Sequence, residues 1–133
     1  MGESGSDRVL HGPLRDLSGL GFQSGEVAVV TGAGSGIGRA VALTAARAGL
    51  TVAVWDIVSD WAAETARMIG DLGGKAEAIA VDVADPAQVS QAWEATLPLG
   101  PCRYLVNNAG PPSMDQGPFR ENLLRALGSV EDV

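Results

Sequence analysis

From Glu26 onward, short apolar runs alternate with longer amphipathic stretches. Val27-Ala28-Val29-Val30 has no polar alternation, which is the pattern of a strand buried on both faces. It predicts strand one over Val27–Thr31. The next stretch places Ile37, Ala40, Val41, Thr44, Ala45 and Ala48 on one face at helical spacing, and Gly49 ends that helix. Strand two is expected over Thr51–Trp55. Helix two is expected from an N-cap at Ser59, with Ala62, Thr65, Ala66, Ile69 and Leu72 inward and Asp60, Glu64, Arg67 and Asp71 outward. Gly73-Gly74 stops it. Strand three follows over Ala76–Val81. Asp85 then caps a third helix that carries Pro86 at its first position and Val89, Ala92, Trp93 and Thr96 inward. Strand four is expected over Arg103–Asn107, and a last helix near Phe119–Leu127.

Strands alternating with helices at this spacing define an α/β fold with a parallel sheet. Right-handed crossovers give a Rossmann-like, doubly wound sheet in the order 3-2-1-4. About four strands fit, so the sheet is expected to be truncated relative to a complete doubly wound fold. Residues 1–25 are rich in Gly and Ser without a sustained period, and are expected to form a flexible lead-in containing a short ordered piece around Leu14–Leu20. Residues 26–133 then form a partial dinucleotide-binding domain.

The junction of strand one and helix one carries the chemistry. Thr31-Gly32-Ala33-Gly34-Ser35-Gly36-Ile37-Gly38 is a glycine-dense turn that opens a helix. Glycines let the chain turn sharply and let a ligand approach the backbone. The helix start then offers free N–H groups and a positive dipole end to an anion. The candidate phosphate-side residues are Gly32, Ser35, Gly36, Ile37 and Gly38. Asp56 ends strand two, where a carboxylate can accept hydrogen bonds from a ribose diol. It would also repel a 2′-phosphate, and neither positions 57–60 nor Ser35 supplies a cation. NAD is therefore expected in preference to NADP. Asp82-Val83 closes strand three, where Asp82 can bind an adenine amino group and Val83 can pack on the ring. Asn107-Asn108-Ala109-Gly110 closes strand four with two amides that can tie strand ends together and a backbone open to a ligand.

Charge and cysteine content narrow the function classes. A net charge of −7 argues against a nucleic-acid partner. No apolar run reaches the length of a membrane span, and Met1 to Arg8 lack a secretory h-region. Cys102 is the single cysteine, so no internal disulfide is possible and a reducing, cytoplasmic location is expected. Cys102 is read as a small packing residue and His11 as a solvated linker residue. No metal site is expected. Trp93 and Trp61 are read as packing residues, whereas Trp55 fits a buried strand position or a place near adenine.

With the glycine turn, Asp56, Asp82-Val83 and Asn107-Asn108-Ala109-Gly110 in this order, the chain resembles the N-terminal half of a short-chain dehydrogenase/reductase. The resemblance implies that the turn binds the pyrophosphate of a nicotinamide cofactor and that Asp56 selects NAD. It implies further that Asp82 and Val83 contact adenine, and that Asn108, with Ala109 and Gly110, lies near the nicotinamide-side ribose. It also implies hydride transfer between NAD(H) and a small alcohol or carbonyl substrate. That family's proton relay uses a Ser and a Tyr-x-x-x-Lys. Here the single tyrosine, Tyr104, lies in strand four with Asn108 four positions later, and the single lysine is Lys75. Asn122 comes too early to match the family's helix-four Asn. No catalytic residue is therefore assigned, and the relay and remaining strands are expected beyond Val133. Without them the chain is expected to be inactive. A stand-alone dinucleotide-binding or interaction module and a non-functional truncated product are the alternatives. Self-association through an exposed strand edge and uncovered apolar faces is a further expectation.

Overall fold

The structure is a computed structural model that describes residues 18–110. A single 3-10 turn, Ser18–Leu20, precedes the first strand. The elements that follow are β1 (Val27–Thr31), α1 (Gly36–Arg47), β2 (Thr51–Asp56), α2 (Ser59–Asp71), β3 (Ala76–Ala80), α3 (Pro86–Thr96) and β4 (Cys102–Val106). The four strands pair in parallel in the order β3-β2-β1-β4. This is the Rossmann-like α/β sheet the sequence predicts. The chain winds outward from β1 to β3 and then returns to the other side of β1. The topological switch point thus falls between β1 and β4, at the carboxyl ends of the strands.

The two faces of the sheet carry separate cores. Val30, Val52 and Val54 pack beneath α1 and α2 with Ala42, Leu43, Ala46, Ala62 and Ile69. Val27, Val29, Ala53 and Trp55 pack on the other face with Val81 and Ala92. Both β1 and β2 are buried along their whole length. That requires unbroken apolar runs, because neither face meets water.

Several expectations shift in register. β2 reaches Asp56, β3 ends at Ala80, and β4 runs from Cys102 rather than Arg103. The buried face of α1 is Gly38, Ala42, Leu43 and Ala46, not the row through Ile37 and Thr44. Ile37 is 77% exposed. The physical reason is Gly38: a Cβ there would collide with the Gly32 carbonyl, so this residue must face the turn and it sets the rotation of the helix. Ser59 is the first residue of α2 rather than its cap. The cap is Val58, and no side chain bonds it. Leu72 is exposed, because α2 ends at Asp71 and the chain leaves the sheet there. Trp93, expected to face inward, is 42% exposed because α3 covers only part of its sheet face. The Asp85 cap is as expected, its Oδ1 accepting the Ala87 N–H at 3.0 Å with Pro86 next in sequence. Within the described lead-in, the Phe22 ring packs against Tyr104 at 5.2 Å between centroids. His11, residues 14–17, the Phe119–Leu127 segment and Asn122 lie outside the described residues.

Candidate functional site

The site forms where β1 passes into α1. Gly32 and Gly36 adopt φ of 64° and 55°, a region open to glycine and costly for other residues. A Cβ on Gly34 would lie 2.7 Å from both Asp56 Oδ2 and Trp61 Cβ. A Cβ on Gly36 would meet nothing within 4 Å. The first two glycines and Gly38 are thus packed against protein, whereas Gly36 opens onto free space. The first amides of α1 have no intrahelical acceptor and face that space. Ser35, Gly36 and Ile37 are all exposed there.

Asp56 is 7% exposed and sits beside the turn. Its Oδ2 accepts the Gly34 N–H at 2.8 Å, and its Oδ1 accepts the Val58 N–H at 2.9 Å. Each carboxylate oxygen keeps a second lone pair for a ligand donor. The Ala33 N–H donates to the Trp55 carbonyl at 3.0 Å, a second tie between the turn and β2.

The end of β4 is bound to the same turn. The Thr31 hydroxyl accepts the Asn108 and Ala109 N–H groups, each at 3.0 Å, and donates to the Val106 carbonyl at 3.3 Å. Asn108 Nδ2 donates to the Gly32 carbonyl at 3.3 Å. Asn108 therefore closes the gap between β1 and β4. Asn107 points elsewhere and lines a groove on the α3 face. Ala109 and Gly110 are exposed beside the junction.

Asp82 and Val83 follow β3 on the same edge of the sheet. Asp82 Oδ1 accepts the Ala84 N–H at 2.9 Å, and the Asp82 N–H donates to Gln88 Oε1 at 2.9 Å. These bonds shape their own loop and leave the Val83 side chain exposed. The structure thus joins Gly32–Gly38, Asp56 and Asn108 in direct contact and places Asp82-Val83 farther along the edge.

Thr31, the first residue of the motif, gains a further role as the latch to β4. Two contributors escape a reading by motif, Arg39 and Thr65. The Thr65 hydroxyl donates to the Ala33 carbonyl at 2.8 Å, and Arg39 donates from Nε to Thr65 Oγ1 at 2.9 Å and from Nη2 to the Gly34 carbonyl at 2.6 Å. The signal for Thr65 lies in its predicted burial, since a buried hydroxyl needs a partner. Arg39 brings a cation to the back of the turn, although no cation lies in the turn itself. On the outer face of α2, the hydrogen bond from Arg67 holds the Glu64 carboxylate below its ordinary range.

Among the described residues no group of His, Cys, Asp or Glu is arranged to hold a metal ion. No helix there is long and apolar enough to cross a membrane. The arrangement can hold an anion at the start of α1 and a hydroxylated ring beside Asp56. Such an arrangement matches what a nucleotide requires at the switch-point end of a parallel sheet.

The fold therefore places the chain in the Rossmann-like α/β class, with its glycine turn at the switch-point end of the sheet. The family model for short chain dehydrogenase matches residues 26–130, and the chain belongs to that family. It is similar to hydroxyacyl-CoA dehydrogenase ChsB1 of Mycobacterium tuberculosis, with 44% identity over 65% of this chain and 29% of that protein. It is also similar to the crystal structure of hydroxysteroid dehydrogenase from Escherichia coli (TM-score 0.64, 37% identity, 77% of this chain and 45% of that one). A metagenomic short-chain oxidoreductase in complex with NADP matches at a TM-score of 0.62 and 34% identity, over 73% of this chain and 47% of that one. The chain thus spans about a third of the curated relative's length and under half of either solved structure.

Proposed function

We propose that this chain is the NAD-binding portion of a short-chain dehydrogenase. In the complete enzyme, NAD(H) would exchange hydride with an alcohol or carbonyl substrate. The observation that carries the reading is Asp56, buried at the end of β2 and hydrogen-bonded to Gly34 of the turn. The residues present fit the cofactor. Gly36 leaves open space where a pyrophosphate would lie, and the first amides of α1 face it. Asp56 would accept from the adenosine ribose, with Asp82 and Val83 toward adenine. Asn108, Ala109 and Gly110 would lie toward the nicotinamide-side ribose. Asp56 also supports NAD over NADP, because its charge opposes a 2′-phosphate. The family includes a relative crystallised with NADP, so the preference rests on this side chain.

The 133 residues alone are proposed to give no turnover. Tyr104 lies within β4, and Asn108 stands four positions on where a lysine would be needed. Loss of general acid–base help costs about 10²–10⁴ in rate. A cytoplasmic location is supported by the single cysteine. Calorimetry with NAD and NADP, paired with an NADH-formation assay on secondary alcohols, tests the reading. Binding of NAD without turnover is expected. No heat and no thermal shift at millimolar NAD would overturn it.

A further inference from the structure

The two carbonyls at the heart of the glycine turn are each held from behind. Thr65 Oγ1 donates to the Ala33 carbonyl at 2.8 Å, and Arg39 Nη2 donates to the Gly34 carbonyl at 2.6 Å. Arg39 Nε also donates to Thr65 Oγ1 at 2.9 Å, which joins the two side chains into one unit across α1 and α2. Thr65 is fully buried.

The peptide bonds here are trans, so the C=O and N–H of each unit point in opposite directions. Fixing a carbonyl therefore aims the amide on its other side. The Ala33 carbonyl shares its peptide with the Gly34 N–H, which donates to Asp56 Oδ2 at 2.8 Å. The Gly34 carbonyl shares its peptide with the Ser35 N–H. That amide points away from Arg39, toward the exposed side of the turn at the start of α1.

We propose that Arg39 and Thr65 are a positioning pair for the dinucleotide: Thr65 aims the Gly34 amide at Asp56, and Arg39 aims the Ser35 amide at the cofactor phosphate. The proposal rests on the NAD-binding reading above. The two side chains divide the labour. Thr65 sets the geometry of Asp56, which serves the adenosine ribose. Arg39 sets the amide that serves the pyrophosphate, and its charge-assisted bond makes that setting stiff. Neither residue touches the cofactor.

The test is an NMR titration of the 15N-labelled 133-residue chain with NAD and, separately, with adenosine, which lacks the phosphates. Arg39→Met is expected to weaken NAD by about tenfold and adenosine by less than about twofold. It should also remove most of the NAD-induced shift of the Ser35 amide. Thr65→Val is expected to weaken both ligands by a similar factor, and Thr65→Ser, which keeps the hydroxyl, to restore both. A purely structural role of Arg39 would lower the melting temperature without changing the NAD-to-adenosine ratio, and a purely structural role of Thr65 would lower it without weakening either ligand at temperatures where the chain is folded. If Arg39→Met is too unstable to titrate, Arg39→Lys decides by the same ratio. Its ammonium lacks the planar fork that spans both acceptors, and about threefold selective loss of NAD is expected. With the wild type binding NAD, an unchanged ratio in the Arg39 variants would overturn the positioning role of Arg39, and Thr65→Val that binds both ligands as tightly as wild type would overturn that of Thr65. Failure of the wild type to bind NAD would overturn the NAD-binding reading and this proposal with it.

Discussion

Asp56 Oδ2 lies 2.8 Å from the Gly34 backbone nitrogen, so the carboxylate at the end of β2 is itself a wall of the glycine turn. Its second oxygen holds the Val58 N–H at 2.9 Å, at the cap of α2. One side chain thus supports the turn, the entry to a helix and the face proposed to meet a ribose.

Asp56→Asn should separate these roles. Asparagine has one acceptor oxygen, so one of the two backbone amides would face an NH2 group. That loss is expected to cost about 1–3 kcal/mol of stability, readable in a denaturant melt. Removing the charge should also relax discrimination against a 2′-phosphate. A like charge at this range in a wet site is worth about 1 kcal/mol, so the NADP-to-NAD affinity ratio should rise about fivefold. A ratio unmoved by the substitution would remove Asp56 as the selector.

The three glycines around the turn's exit should respond differently to alanine. Gly34→Ala places a methyl 2.7 Å from Asp56 Oδ2 and Trp61 Cβ, and Gly38→Ala drives one into the Gly32 carbonyl. Overpacking of this kind typically costs about 1–3 kcal/mol or more. Gly36→Ala meets no atom, and its φ of 55° costs roughly 1–2 kcal/mol. Gly36→Ala should therefore fold and still lose NAD affinity, because its methyl enters the open space proposed for phosphate. Melting curves and NAD titrations of the three variants would show the contrast. A Gly36→Ala chain that binds NAD as well as wild type would contradict the placement of phosphate there.

Strand order, the three helices between the strands and the glycine turn were legible because each follows from local pattern. Val27–Val30 can only be buried on both faces, and Asp85-Pro86 can only start a helix. The rotation of α1 was not legible from apolar spacing, because a backbone contact at Gly38 decides it and leaves Ile37 in solvent. Trp93 was misplaced for a related reason. An apolar helical face reads as inward, but what covers it depends on neighbours that spacing does not reveal. Arg39 escaped notice because its role is to hold carbonyls, and motifs record only residues that meet the ligand. Its signal was positional: a cation in the first turn of a helix is electrostatically unfavourable unless something holds it there.

The buried indole of Trp55 donates from Nε1 to Thr96 Oγ1 at 3.1 Å, and that hydroxyl donates in turn to the Ala92 carbonyl at 2.8 Å. This resolves Trp55 as a core residue that pins α3 to the sheet. Thr96→Val keeps the shape and orphans the indole N–H. The expected cost is about 1–3 kcal/mol, a drop of roughly 4 °C or more in Tm. Thr96→Ser should recover most of it. NAD affinity should be unchanged, since α3 meets the site only through the loop at Asp82.

The α3 face beyond Trp93 gives the last prediction. Leu105 is 60% exposed on β4, and with Trp93, Val29 and Val89 it lines a groove of about 510 Å³. Among the described residues no strand pairs with the outer edge of β4. An apolar face beside an open strand edge favours association with another chain. Leu105→Lys sets a charge on that face without touching the turn, Asp56 or Asn108. Sedimentation velocity should show concentration-dependent self-association of the wild-type chain, shifted toward monomer in Leu105→Lys, with NAD affinity retained. Lysine is effective here because a second sheet approaching the edge would have to desolvate its ammonium, whereas a lone chain leaves it in water at little cost. A wild-type chain that sediments as a monomer at all concentrations would remove this face as an association surface.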